Sequence, residues 1–116
     1  MEPGIQMDSL IARKIWRSIV ISDTDTGESY MIGQADHSKV PIPKFSTDTD
    51  DAHKIVEFFQ SRGWTFRVRH IPENDTYETC FYKDNGLSYR FMSSDTLPMA
   101  ICIAGLAVMD ESNIIK

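Results

Sequence analysis

The sequence predicts an α+β protein in which helices pack against antiparallel strands. Apolar residues recur at helical spacing between Ala52 and Phe59, and the period then changes to the alternation of a strand in "WTFRVRHI". A third segment, "MAICIAGLAVM", is apolar on almost every side, as a buried helix would be. Helical and extended patterns therefore occur in one chain without the regular βαβ order of a parallel sheet.

Composition sets the class of protein. The chain has 116 residues, 41% of them hydrophobic, and carries 12 Lys and Arg against 17 Asp and Glu, for a net charge of −5. These values predict one globular domain over residues 1–116 and argue against DNA, whose phosphates require a basic surface. The longest apolar run is too short to span a bilayer, so we expect a cytoplasmic protein with no membrane partner. Cys80 and Cys102 form no CxxC pair and no disulfide framework, which indicates buried thiols and no structural zinc site. No cofactor is expected.

The N-terminal third predicts a helix and a hairpin. Met7, Leu10, Ile11 and Ile15 recur at helical spacing, so we expect a helix over residues 8–16 with Asp8 as its cap. The β-branched residues 17–21 predict a strand, and "SDTDTGES" predicts a turn into a second strand through "YMIGQ". Residues 35–45 contain two prolines, which predict an ordered connection and no further element.

The acidic segment "STDTDDAH", residues 46–53, raises the question of a metal loop. Counted from Asp48, a calcium loop needs an oxygen ligand where Ala52 stands and a glycine where His53 stands, so the match fails. The similar loop counted from Asp23 fails as well. The segment instead precedes a helix, where Ser46, Thr47 or Asp48 can cap, and Gly63 can close the other end in a left-handed conformation.

The second half of the chain predicts a strand, a hairpin and a buried helix. Asn85-Gly86 is a strong hairpin signal, but two registers remain open. A two-residue turn puts Cys80 and Tyr82 on the side of Phe91, whereas a bulged three-residue loop puts Phe81 there. We prefer the bulged loop. The last helix begins at Asp95 or Thr96 and lies across the sheet or under a subunit interface, with Ala104 and Gly105 permitting close approach.

Three segments together resemble the phage ABA-sandwich family: "MDSLIARKIW", "PKFSTDTDDAHKIVEFF" and "SSDTLPMAICIAGLAVMD". Members open with a short helix ending near a Trp, carry a proline before an aromatic-Ser-Thr-Asp helix start, and close with an Asp-Thr-x-Pro-x-Ala-Ile-Cys helix. One departure is Arg17, where the family commonly has a Gly-Trp pair after the first helix. The resemblance implies an antiparallel sheet sandwiched between helices, and it implies no reaction.

No catalytic constellation is predicted. The candidates are His37, His53 and His70 with Cys80 or Cys102, but no spacing brings a histidine beside a thiol. A ligand site is indicated instead on the polar side of the strands, where Arg67 and Arg69 project together. Arg90 and Tyr82 join them in the preferred register, and such a group suits a phosphate or nucleotide. The competing interpretation is a solvated face whose arginines pair with Glu57, Glu73 or Glu78.

These observations lead to one leading hypothesis and two alternatives. The leading one is a nonenzymatic phage accessory protein that acts in the host bacterial cytoplasm as a homo-oligomer. It would counter host antiviral defence by sequestering a small nucleotide signal with Arg67, Arg69, Arg90 and Tyr82. The alternatives are an inhibitor that binds a host protein through a surface patch, and a small hydrolase.

Overall fold

The computed structural model describes residues 3–22, 29–32, 39–83 and 91–114. They form three helices and two antiparallel three-stranded sheets, so the predicted α+β class is confirmed, and the arrangement is compatible with a sandwich. In chain order the elements are α1 (Ile5–Lys14), β1 (Val20–Ser22), β2 (Ser29–Ile32), β3 (Lys39–Pro41), α2 (Thr49–Gln60), β4 (Thr65–Ile71), β5 (Thr76–Tyr82), β6 (Met92–Ser94) and α3 (Leu97–Ile114).

Helix α1 begins three residues before the predicted start, and Asp8 is not its cap. The N-cap residue is Gly4, without a side-chain cap, and Asp8 lies within the helix at 3% exposure. Its carboxylate accepts hydrogen bonds from the backbone N–H and the hydroxyl of Ser46, at 2.8 and 2.7 Å. A tertiary partner thus holds Asp8 inside the helix, because a buried carboxylate needs donors.

The first sheet contains the predicted hairpin and one strand that was not predicted. Strands β1 and β2 pair antiparallel, but β1 starts at Val20 because Arg17 has a left-handed φ of 55° after the end of α1. The prediction of a connection over residues 35–45 is wrong, since β3 pairs with β2 and sets Val40 opposite Met31. At the edge of a sheet, Pro41 costs no inner hydrogen bond. The predicted turn at residues 23–28 lies outside the described residues.

Helix α2 starts and ends as predicted. Asp48 is the N-cap, and its carboxylate accepts from the backbone N–H groups of Asp50 and Asp51 at 2.8 and 3.3 Å. Gly63 takes a left-handed φ of 88°, and the N–H of Trp64 closes the helix end on the carbonyl of Phe59 at 3.0 Å. The acids before α2 therefore act as helix-capping groups.

The second sheet has the order β4-β5-β6. The pairs Thr65 with Tyr82 and Arg69 with Glu78 fix the β4–β5 register, and Thr79 with Met92 fixes β5–β6. In that register Phe91 lies on the arginine side, where its ring contacts the Arg69 guanidinium, and not beside Phe81 as the preferred bulged loop requires. The placement of Phe91 was wrong because only the cross-strand pairing fixes which face a side chain takes. The turn at Asn85-Gly86 itself lies outside the described residues.

Helix α3 packs inside this chain against α2, β5 and β6, with Thr96 accepting the first helical bond from Ala100. The hydroxyl of the fully buried Thr79 donates to the carbonyl of Ala100 at 2.7 Å, which fastens β5 to the start of α3. Gly105 is buried where α3 meets α1 and α2, as the prediction of close approach requires. One apolar core thus joins the three helices to the inner face of the second sheet.

Candidate functional site

The open face of the second sheet carries part of the predicted ligand site. Arg67 stands on β4, and its guanidinium carbon lies 5.1 Å from the centre of the Tyr82 ring on β5. This distance is typical of a cation–π contact, so the structure brings Arg67 and Tyr82 together. On this face Thr65, Arg67 and Arg69 are exposed, Glu78 and Tyr82 are partly exposed, and Cys80 is buried.

Arg69 is engaged by other side chains. Its Nε donates to Oε1 of Glu78, directly across the strand pair, and its guanidinium carbon lies 4.0 Å from the centre of the Phe91 ring. The competing interpretation, in which Glu78 pairs with an arginine, therefore holds for Arg69. Arg90 lies outside the described residues. A role for these residues in ligand binding stays a prediction.

A concave groove of about 600 Å³ lies beside the outer face of α2. It opens between the end of α1, strand β2, the segment before α2 and the outer face of α2. Ligand sites in proteins are typically concave and mostly apolar, with a few polar groups, and this groove fits that description. Its lining residues are Trp16, Ser18, Met31, Pro43, Phe45, Lys54, Glu57, Phe58, Ser61 and Arg62.

Three aromatic rings form the apolar wall of the groove. Trp16 stacks on Phe45 with ring centres 5.1 Å apart and planes 11° apart, and it meets Phe58 edge-on at 5.2 Å. Phe45 is buried, which fixes the cluster, whereas Trp16 and Phe58 are partly exposed. Exposed faces of aromatic rings offer a surface on which a planar ligand stacks.

Charged side chains line the rim. The guanidinium of Arg62 lies 3.6 Å from the centre of the Phe58 ring and donates to the carbonyl of Phe58 and the hydroxyl of Ser61, at 3.1 Å each. Lys54 forms an ion pair with Asp51 at 3.1 Å, and its side chain is 55% exposed. The backbone N–H of Lys44, followed by the side chain of Lys54, holds the pKa of Asp51 below its ordinary value. Lys54, Arg62 and Glu57 thus line the groove beside its apolar wall.

The sequence did not single out this groove, although one signal was present. Phe58 stands one position off the buried stripe of α2, on a helix whose other outward positions are polar. An aromatic residue beside the stripe is free to serve a surface function. Phe58 meets Trp16, which in turn stacks on Phe45, and only the tertiary fold brings Trp16 to α2.

The predicted catalytic candidates that the structure describes lie in different parts of the fold. His53 lies 3.9 Å from Glu57 on the surface of α2, and His70 Nε2 is 2.8 Å from Asp75 in the turn after β4. Burial raises the pKa of the Cys102 thiol to about 12, and the charge of Asp8 adds to the effect. Among the described residues, no group of three or more His, Cys, Asp or Glu side chains is placed to hold a metal ion. His37 lies outside the described residues.

The fold and groove define a small α+β sandwich protein with an aromatic, cation-rimmed surface groove. Residues 9–106 match the family model of the phage ABA sandwich domain. The chain belongs to this family, as the three sequence segments predicted, and is a phage protein. Neither the comparison with curated proteins nor that with solved structures finds a match. Within the described ranges, none of the helices has the length and apolarity needed to cross a membrane.

Proposed function

We propose that this phage protein is a nonenzymatic accessory protein that sequesters a small nucleotide and so counters a host defence that signals through it. The observation that carries the proposal is the groove beside α2, which brings three aromatic rings and two cationic side chains together. A nucleotide combines a planar base with a negative phosphate, and the groove offers a complement to each. This places the ligand on a surface other than the predicted arginine face.

The base would contact the rings of Trp16 and Phe58 where they line the groove. Both rings are partly exposed, and both are held in place by neighbours, Trp16 by Phe45 and Phe58 by the guanidinium of Arg62. A rigid aromatic surface loses little conformational entropy when a ligand binds. Stacking tolerates different bases, so base identity would be read by polar groups such as Glu57, whose carboxylate accepts hydrogen bonds from amino groups.

The phosphate would lie toward Arg62 and Lys54. Within the described part of the chain, Arg62 donates two hydrogen bonds, both from Nη1. A guanidinium has five N–H donors, so donors remain for phosphate oxygens. Lys54 pairs with Asp51 at an exposed position, and such surface pairs contribute little free energy. A phosphate can therefore compete for the ammonium group at low cost.

The lining favours binding over turnover. Its hydroxyl groups belong to Ser18 and Ser61, and no histidine or cysteine is among the residues that form it in the described part of the chain. The hydroxyl of Ser61 donates to the carbonyl of Phe58 at 2.7 Å, so its proton is directed to the backbone and not to a general base. A nucleophile needs such a base within hydrogen-bond reach.

Calorimetric titration with ADP, ATP and a cyclic dinucleotide tests the proposal. Substituting Arg62→Gln should weaken binding about tenfold, the effect of losing one charge-assisted hydrogen bond. Phe58→Leu should weaken it as well, because it keeps a similar apolar volume and removes the ring. The matched control is the double variant Arg67→Ala with Arg69→Ala, which should bind like the original protein.

Mass spectrometry of the released ligand separates the alternatives. A sequestering protein returns the nucleotide unmodified after denaturation, whereas a hydrolase releases a converted product. If the Arg67 and Arg69 double variant lost nucleotide binding and Arg62→Gln kept it, the binding site would lie on the open face of the second sheet. Failure of all three nucleotides to bind at about 1 mM would contradict nucleotide sequestration.

A further inference from the structure

Strand β4 lies at one end of the second sheet. Its seven residues, Thr65–Ile71, pair along one side with β5. Within the described ranges no strand pairs with the other side, because β4 stands at the end of the order β4-β5-β6. A row of unpaired backbone N–H and C=O groups is a ready template for an additional strand. The edge therefore offers backbone hydrogen-bonding groups to an additional strand.

The side chains around this edge are accessible. Arg67, Val68, Arg69 and His70 are all exposed, and Val68 is 49% exposed although it points to the side of the sheet that packs on the helices. A half-exposed valine in the middle of an edge strand offers apolar contact to an incoming strand. On the opposite side of the sheet, the same strand offers two arginines separated by one residue.

A second copy of this chain fits the edge poorly. Antiparallel self-pairing centred on Val68 would set Arg67 of one copy directly opposite Arg69 of the other, twice. Shifting the register by two residues sets an arginine opposite its own counterpart. Like charges directly opposite each other destabilise a strand pair, and charged edge residues are a common protection against self-association.

An acidic strand fits where a second copy does not. No carboxylate of the described residues forms an ion pair with Arg67, whose guanidinium contacts only the Tyr82 ring in the contacts described. Arg69 donates to Glu78 through Nε, and among the described residues its terminal N–H groups have no recorded hydrogen bond, so they can meet a second carboxylate. Opposite charges directly across a strand pair are stabilising, so the two arginines select for acids two residues apart.

We propose that the β4 edge binds an extended protein segment in which acidic residues alternate with apolar ones. Backbone hydrogen bonds to β4 would supply affinity, as in other cases of strand addition to a sheet. The acidic side chains would face Arg67 and Arg69, and the apolar residue between them would contact Val68 on the other side of the sheet. This partner is distinct from the groove ligand, and the inference does not rest on nucleotide binding.

A charge-swap experiment with a synthetic probe tests the inference. The probe is the capped peptide Thr-Val-Glu-Val-Glu-Val-Thr, and its matched control carries lysine in place of both glutamates. Fluorescence anisotropy should detect the glutamate peptide at about 1 mM and show weaker binding of the lysine peptide. Arg67→Glu should lower affinity for the glutamate peptide about tenfold and raise it for the lysine peptide. Arg13→Glu, the same change on the exposed side of α1, should change neither.

Hydrogen exchange distinguishes strand addition from charge attraction alone. Binding of the glutamate peptide should protect the amides of residues 65–71 that face away from β5. Binding without such protection would overturn the proposal, as would equal affinity for the two peptides or no effect of Arg67→Glu. Protection of the same amides at high protein concentration, without peptide, would show that a second copy occupies the edge and would also overturn it.

Discussion

Single residues decide how the elements of this protein begin and end. Asp48 caps α2 with its own carboxylate, and Gly63 ends that helix in a left-handed conformation. Arg17 takes a left-handed φ of 55° as well, yet it has a side chain. A residue with a Cβ pays roughly 1 to 2 kcal/mol for this conformation, a cost that glycine avoids. The backbone after α1 is therefore less stable with arginine at this position than it would be with glycine.

Arg17→Gly should increase the free energy of unfolding by about 0.5 to 1 kcal/mol. Relief of the left-handed conformation outweighs the larger entropy that glycine gives to the unfolded chain. Urea denaturation measures the difference. The control Arg13→Gly, inside α1, should lower stability by about 1 kcal/mol, since glycine is a poor helix former. A loss of stability in Arg17→Gly would show that side-chain contacts of Arg17 outweigh the backbone strain.

At the scale of elements, α3 packs closely against α2 at Gly105. Gly105 has no side chain, and a Cβ built there would lie 2.9 Å from Cγ2 of Ile55 and 3.3 Å from the ring of Phe59. The first distance is shorter than normal contact between carbon atoms. Because Cγ2 is attached directly to the Cβ of Ile55, it cannot move far without shifting α2.

Gly105→Val should destabilise the protein by about 1 to 3 kcal/mol, the usual cost of overpacking a core. Gly105→Ala should cost less, because alanine gains about 1 kcal/mol of helix propensity over glycine. The loss of stability in each variant is measured as a shift in the midpoint temperature of thermal unfolding. Ala107→Val, at a half-buried position two residues along the same helix, is the control and should cost less than Gly105→Val. Equal midpoints for the two valine variants would contradict close packing at Gly105.

At the scale of the whole molecule, one core connects the helices to the second sheet, and Cys102 lies inside it without exposure. Burial raises the pKa of this thiol to about 12. Only a thiolate reacts readily with alkylating reagents, so both the location and the protonation state protect Cys102. Its reactivity therefore reports opening of the core.

Cys102 in the native protein should remain unmodified by iodoacetamide, and its rate of alkylation should stay low as the pH rises from about 7 to about 9. An unfolded thiol titrates near pH 8.5 and reacts faster over the same range. Peptide mass spectrometry, with and without urea, follows the site directly. Rapid alkylation of Cys102 without urea at neutral pH would contradict the buried, protonated thiol and would reopen a role for it as a nucleophile.

The sequence by itself determined the elements whose signals are local. The stripe and caps of α2, the alternation of β4 and the apolar surface of α3 each depend on residues close in the chain, and each was predicted near its observed place. The family followed from three such segments in order. Arg67 and Tyr82 were also predicted to share a face, which the pairing of Thr65 with Tyr82 confirms.

Only the tertiary structure decided features that depend on distant partners. Asp8 resembles a helix cap until Ser46, 38 residues away, is placed beside it. Strand β3 contains a proline, Pro41, and forms because β2 offers a free edge. The groove joins Trp16, Phe45 and Phe58 from three separate segments. Local propensity contributes a few tenths of a kcal/mol per residue, and burial of side chains against distant partners contributes more, so contacts between segments decide such positions.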